Sequence, residues 1–248
     1  MKKKKEGRRI KPLRYKRALL KLSGEAFGKN GRGIHLASVE QVALTISRLK
    51  RDTGVQLAVV VGAGNLFRGR YAEGTDVDRA TADYIGMLGT LMNALALQEA
   101  MERLDGETRV MSAIPVNNLC EPFIRRKAIM HLESGRTVIL GGGTGNPFCT
   151  TDFASALRAI ELKCDLILKA SNVNGVYDSD PKINPNAKRF ETISHSDALN
   201  LSLKVMDSTA FALCKDEGLP IVVFDFKQPR NIERILQGQK IGTLVATS

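Results

Sequence analysis

The 248-residue sequence contains no tryptophan, only three histidines, and four cysteines that never fall in Cys-x-x-Cys spacing. Each scarcity argues against something. Cys120, Cys149, Cys164 and Cys214 stand too far apart for a zinc knuckle or a dithiol motif, so reduced thiols in a cytoplasmic protein are expected. His35, His131 and His195 show no metal-ligand spacing. No apolar run is long enough to span a membrane, and Ala18-Leu19-Leu20 is cut off at Lys21, which argues against a secretory signal. No G-x-x-x-x-G-K-[ST] run occurs, and neither glycine loop satisfies G-x-G-x-x-G. P-loop, protein kinase and dinucleotide-binding readings are weak in consequence.

What is abundant is positive charge at one end. Residues 1–17 hold ten Lys or Arg against the single acid Glu6, so this stretch carries +9 of the net +11 and the body is nearly neutral. A segment of this kind reads as a solvated, disordered tail over residues 1–16, with nucleic acid a partner only through that tail. The remaining residues, 17–248, read as one domain. They divide into an N-terminal lobe to about residue 164 and a C-terminal lobe from about residue 165.

Buried strands are expected at Arg17–Leu22, Gln56–Val61, Thr108–Ser112, Thr137–Leu140, Asp165–Lys169, Pro220–Phe226 and Gly242–Ala246. Between them, helical spacing predicts Ser38–Arg51 (with Ser38 as cap and Gly54 past the end), Arg79–Leu104, Pro122–Glu133, Ser208–Glu217 and Arg230–Gln237. A further helix begins near Asp152, which is suited to cap it. The Asn174-Gly175 pair predicts a hairpin between Val173 and Tyr177. Strands alternating with helices imply an α/β fold, a three-layer α/β/α sandwich around a mostly parallel central sheet. In such sheets ligands lie at the carboxyl ends of strands, where Lys21, Lys169 and both glycine-rich turns fall.

The second of those turns is the centre of the chemistry. Gly141-Gly142-Gly143-Thr144-Gly145 follows a buried strand and leads through Asn146-Pro147-Phe148-Cys149-Thr150-Thr151 to Asp152 and a helix. Four glycines let backbone approach a ligand closely, and successive N–H groups can cradle anionic oxygens. The first turn, Gly62-Ala63-Gly64-Asn65, precedes Arg68. Two glycine loops, two strand-end lysines, an arginine and several carboxylates are the parts that phosphoryl transfer requires.

In order, Lys21-Leu22-Ser23-Gly24-Glu25-Ala26, Gly62 to Gly69, Met111 to Pro115, Gly143 to Asp152, and Lys204-Val205-Met206-Asp207 resemble the amino acid kinase superfamily, and within it the bacterial uridylate kinases. The resemblance runs from Tyr15 to Leu244. It implies transfer of the γ-phosphoryl of ATP, with Mg²⁺ held mainly through ATP, to UMP in a homohexamer. On that resemblance Lys21 and Lys169 act on the transferred phosphoryl, and Asp152 and Asp207 hold them and the metal–nucleotide complex. Arg68, Ala63 and Gly64 bind phosphates between the substrates. Leu22, Ser23, Gly24, Ser171, Tyr177 and Asp180 join the ATP side. Asp83 takes the uridylate ribose, and Thr144, Gly145, Asn146, Pro147, Phe148, Cys149, Thr150 and Thr151 wrap the acceptor. Three departures from the family pattern stand out: Ala63 replaces the middle glycine of a triplet, Asn172 and Asn174 replace a basic residue and an aspartate, and the stretch Gly28 to Gly33 is about one residue short. An acceptor carrying a carboxylate or carbamate, as elsewhere in the superfamily, is the competing reading.

Overall fold

The computed structural model describes residues 12–67, 76–181, 183–201, 203 and 206–247. In chain order come β1 (Arg17–Leu22), a 3₁₀ turn (Gly24–Phe27), α1 (Leu36–Thr53), β2 (Gln56–Val61), α2 (Arg79–Glu102), β3 (Thr108–Ser112), β4 (Glu121–Pro122) and α3 (Arg125–Glu133). Then follow β5 (Thr137–Gly141), α4 (Thr151–Glu161), β6 (Leu166–Ser171), β7 (Thr192–Ser194), α5 (His195–Asn200), α6 (Ser208–Asp216), β8 (Ile221–Asp225), α7 (Asn231–Leu236) and β9 (Thr243–Ala246).

Among the described residues the strands form one nine-stranded sheet in the order β4-β3-β5-β2-β1-β6-β8-β9-β7. All described pairs are parallel except β8 with β9. Because side chains alternate along a strand, neighbouring residues of β1 serve opposite cores. Leu20 and Leu22 pack with Val42 and Ile46 of α1, Leu97 of α2 and Ile235 of α7. Leu19, with Ile167 of β6, packs instead with Ala128 of α3, Ala156 and Ala159 of α4 and Phe211 of α6. The sheet is thus covered on both faces, the α/β/α sandwich expected from the sequence. Period two also places Lys21 and Lys169 on the α4 side.

Several local expectations need correction. The first helix starts at Leu36, and Ser38 does not cap it: its hydroxyl donates to Gly28 O at 3.2 Å. Gly54 does end it, at φ +67°. Asp152 does not cap α4 either, because Thr150 Oγ1 already accepts the Phe153 N–H at 3.1 Å. Residues 121–122 pair with β3 as a strand, so the third helix begins only at Arg125. The Asn-Gly hairpin is absent as such. Val176 N–H donates to Thr243 Oγ1 at 2.9 Å, and the pairing of this segment reduces to a bridge between Tyr177 and Arg189. The short β7 and α5 were not foreseen. At the N-terminus, Arg14 and Tyr15 N–H both donate to Leu236 O, so the chain is tied to the body before β1 begins.

Candidate active site

β1 and β6 are neighbours at the centre of the sheet, and their register sets Lys21 directly beside Lys169. Two ammonium groups on one face of adjacent strands repel each other, so a counter-charge is required. Asp152 supplies it from the first turn of α4, where the helix dipole also favours a carboxylate. Its Oδ1 lies 3.0 Å from Lys21 Nζ and its Oδ2 accepts from Lys169 Nζ at 2.7 Å. The Oδ1 contact is an ion pair without hydrogen-bond geometry, leaving that buried oxygen unpartnered by any hydrogen bond.

One carboxylate shared by two lysines makes the ends of the cluster unequal. Burial alone would push the Asp152 carboxyl up, but Lys21 and Lys169 together hold it below the usual carboxylate range. Lys169 is pushed below the ordinary lysine value, chiefly by burial; the attraction of Asp152 opposes this and the repulsion of Lys21 adds to it. Asp152 sees two cations, whereas Lys169 sees one anion and one cation. The trio therefore carries one net positive charge and is short of an anion, a property suited to receiving a phosphoryl group.

Asp207 stands beside this trio rather than in it. It caps α6, with Oδ1 accepting the Ala210 N–H at 2.7 Å, and Oδ2 accepts a short hydrogen bond from Thr150 Oγ1. Its charge reaches Lys169 only from a distance. By joining the cap of α4 to the cap of α6, it fixes the helix that carries Asp152.

A cleft of about 1480 Å³ opens from the two lysines. Of the residues assigned to the ATP side, Lys21, Leu22, Ser23, Gly64, Ser171, Tyr177 and Asp180 line it together with Lys169, and Ile183, Leu201 and Phe226 add apolar wall. Gly24 is not in the lining. A Cβ there would lie 2.5 Å from Gly64 N and 2.8 Å from Ala63 C, so its bare backbone lets the first strand's turn pack against the second's. Arg68 lies outside the described residues, as do Lys204 and Val205 of the last motif.

Ala63 is buried, and a methyl group placed on Gly89 of α2 would come 2.9 Å from its Cβ. The extra methyl is thus housed by a helix glycine. The same turn is anchored by a feature the sequence did not disclose. Asn65 Nδ2 donates to Gly33 O at 2.7 Å and to Asn93 Oδ1 at 3.0 Å, while Asn93 Nδ2 donates to Gly62 O and Asn65 Oδ1, both at 2.8 Å. A polar residue among the apolar positions of α2 was its one sequence signal.

The acceptor-side residues are held differently. Gly142, Gly143 and Gly145 have φ of +75°, +58° and +86°, so the loop after β5 turns through left-handed backbone that glycine adopts without cost. Thr144 Oγ1 accepts the Asn146 N–H at 3.1 Å, and Thr144 O receives Arg158 Nη2 at 3.5 Å. Pro147 and Cys149 flank Phe148, which is itself left-handed at φ +65°. Asp83, from the first turns of α2, accepts the Phe148 N–H on Oδ2 at 2.8 Å. The loop ends in Thr150 and Thr151, at the start of α4, beside Asp152. That loop is thus continuous with the helix turn whose Asp152 pairs with both lysines.

Comparisons with known proteins agree with this geometry. Residues 16–225 match the model of the amino acid kinase family. A uridylate kinase of Deinococcus radiodurans is 54% identical over 240 residues, covering 96% of this chain and 98% of its own. Among solved structures, the UMP kinase of Bacillus anthracis superposes with a TM-score of 0.89 at 42% identity, covering 94% of this chain and 96% of that one. The UMP kinase of Ureaplasma parvum gives 0.87 at 37% identity, covering 95% and 100%. Sheet order, lysine pair, loops and these similarities lead to one conclusion: the chain belongs to the amino acid kinase family, and within it groups with the uridylate kinases.

Proposed function

We propose that the protein transfers the γ-phosphoryl of MgATP to UMP, giving UDP and ADP, as a step of pyrimidine nucleotide biosynthesis in the cytoplasm. One observation carries this reading: two lysines in register on the central strands share a single carboxylate and line a large cleft. ATP occupies the cleft, with Ser23, Gly64, Ser171, Tyr177 and Asp180 along its length. Mg²⁺ arrives as part of this substrate, held mainly through the phosphates. UMP lies against Asp83 and the Thr144–Thr151 loop, so that donor and acceptor phosphates approach each other at Lys21 and Lys169. The net positive trio stabilises charge on the phosphoryl group in flight, and Asp152 keeps both ammonium groups fixed before the nucleotides bind. Asp207 holds the scaffold of that carboxylate. Arg68 completes the phosphate cations in this reading.

The exposed apolar side chains of α2, Tyr84, Leu88 and Met92, recur every four residues on one face. That face supports assembly into a homo-oligomer, for which a hexamer is the family expectation. No helix among the described residues is long and apolar enough to cross a membrane. The deciding experiment is a coupled ADP-release assay with MgATP against UMP, CMP, dCMP, acetylglutamate and carbamate. Turnover with UMP alone is expected, and preference for any other acceptor would overturn the assignment.

A further inference from the structure

Arg79, at the start of α2, makes contacts that the reading above does not use. Its single Nε–H is shared between Asp83 Oδ1, at 3.1 Å, and Oδ2, at 3.0 Å, a three-centre bond across one helical turn. Its guanidinium carbon also stands 5.8 Å from the centroid of the Phe148 ring. Phe148 is the unusual member of this group. An aromatic residue in left-handed backbone is uncommon, and here the side chain is 68% exposed, so core packing does not hold it there. What the structure offers to hold it is the Asp83 bond to its N–H and the Arg79 cation over its ring.

We infer that Arg79 is a positioning residue for acceptor recognition, aligning the Asp83 carboxylate so that Phe148 is latched and one acceptor site remains for a substrate hydroxyl. The inference rests on the reading that Asp83 faces the ribose of UMP. A carboxylate offers about four lone-pair directions. Arg79 takes one on each oxygen and the Phe148 N–H takes the second on Oδ2, leaving one on Oδ1. A nucleotide hydroxyl can therefore be read without releasing the latch. Without the Arg79 bond, the Phe148 N–H alone orients the carboxylate, and rotation about its last torsion lets the ribose draw it away from the loop.

The test compares the parent with Arg79→Ala and Arg79→Lys, measuring kcat and KM for UMP and for MgATP, and the discrimination between UMP and its 2′-deoxy and 3′-deoxy analogues. Loss of this charge-assisted three-centre bond should raise KM for UMP in Arg79→Ala by roughly tenfold. The value of kcat and KM for MgATP should stay within about twofold, and discrimination against the rejected deoxy analogue should fall in parallel. Arg79→Lys, which keeps the charge but replaces the rigidly directed Nε–H by a freely rotating ammonium, should recover part of the affinity and little of the discrimination. Amide hydrogen exchange supplies a readout that needs no acceptor: peptides spanning residues 144–150 should exchange several-fold faster in Arg79→Ala. Unchanged exchange there, or an equal rise in both Michaelis constants, would overturn the inference. Failure of the parent to turn over UMP would instead remove the reading it rests on, while leaving the exchange result to decide the latch.

Discussion

The two glycine loops have similar composition and owe it to different physics. At Gly24, Gly62 and Gly89 the constraint is space: added methyl groups would strike backbone or the Ala63 side chain, and none of the three has positive φ. At Gly142, Gly143 and Gly145 handedness is added, since all three have positive φ: Gly145 is also closed by Ala113 O, 2.8 Å from where a Cβ would lie, whereas Gly143 has only Met87 Cγ, at 3.9 Å, and handedness alone constrains it. The first loop is a packing device that joins β1, β2 and α2. The second is a backbone turned through left-handed conformations that its glycines adopt without strain. Glycine content alone therefore does not say what a loop is for; the reason for each glycine is needed.

Lys21 belongs to the first loop's side and Asp152 to the second's, so the largest expected effect comes from cutting the ion pairs between them. Asp152→Asn leaves two buried ammonium groups without their shared counter-charge and should cost roughly 3–4 kcal/mol of stability at neutral pH. The sign with pH is fixed by the depressed Asp152 value. Its contribution is fully present above the ordinary carboxylate pKa and is lost as pH falls through the lower folded value. Denaturant melts should show the gap between parent and variant closing on acidification. A gap that is constant between neutral pH and pH of about 3 would contradict the ion-pair assignment.

Next in size is Lys21→Met, which keeps the stem and deletes the charge. Turnover should fall about a hundredfold, equivalent to roughly 3 kcal/mol, with KM for UMP nearly unchanged, because a fixed ammonium is most valuable where charge develops during transfer. Parent-like steady-state turnover would remove Lys21 from the chemistry.

Two glycine substitutions sharpen the contrast itself. Gly89→Ala should destabilise by about 1–3 kcal/mol through overpacking against Ala63, and Ala63→Gly in the same chain should restore most of the loss. Ala63→Gly alone should leave both Michaelis constants within a small factor, since its methyl faces α2. Gly143→Ala should cost about 1–2 kcal/mol for its backbone alone, and Gly143→Asn should recover part, because asparagine enters left-handed backbone more readily than alanine. Thermal melts of these five variants decide the matter. Failure of Ala63→Gly to rescue Gly89→Ala, or equal losses for Gly143→Ala and Gly143→Asn, would dissolve the distinction between the loops.

Legibility of the sequence followed burial. The strands β2 and β5 lie close to where their apolar runs place them, because a strand covered on both faces is apolar along nearly its whole length. Lys21 and Lys169 were visible as charges ending such runs, though their mutual register depends on pairing across 148 positions, which no local pattern encodes. Asp152 was legible as a helix-terminal acid and, through the resemblance, as the partner of both lysines; only its reading as the cap failed. Thr150, two residues earlier, took that role and left the carboxylate to face the lysines. The Asn174-Gly175 signal failed because Thr243, distant in sequence, claims the Val176 N–H that a hairpin would have used. Ser194 and Asp197 form a recognisable start for α5, with Ser194 Oγ accepting the Asp197 N–H at 2.9 Å, and were simply passed over. The Arg79–Asp83 pair was likewise readable from its spacing, whereas its hold on Phe148 required the fold.

The central place of β1 also bears on synthesis of the chain. On one side β1 pairs with β2, about 40 residues away; on the other it waits for β6, whose partners to Ala18–Lys21 are Leu166–Lys169. Asp165 then receives both the Lys16 and Arg17 N–H groups, at 2.7 and 2.9 Å. Until the ribosome has delivered that segment, β1 is an open, apolar edge, and the two lysines exist as one. A polypeptide stopped short of residue 165 therefore has no assembled phosphoryl site and exposes a strand that readily recruits other chains. Long-range closure makes β1–β6 pairing a late event on the folding route, so the enzyme acquires its chemistry and hides its stickiest edge in the same step.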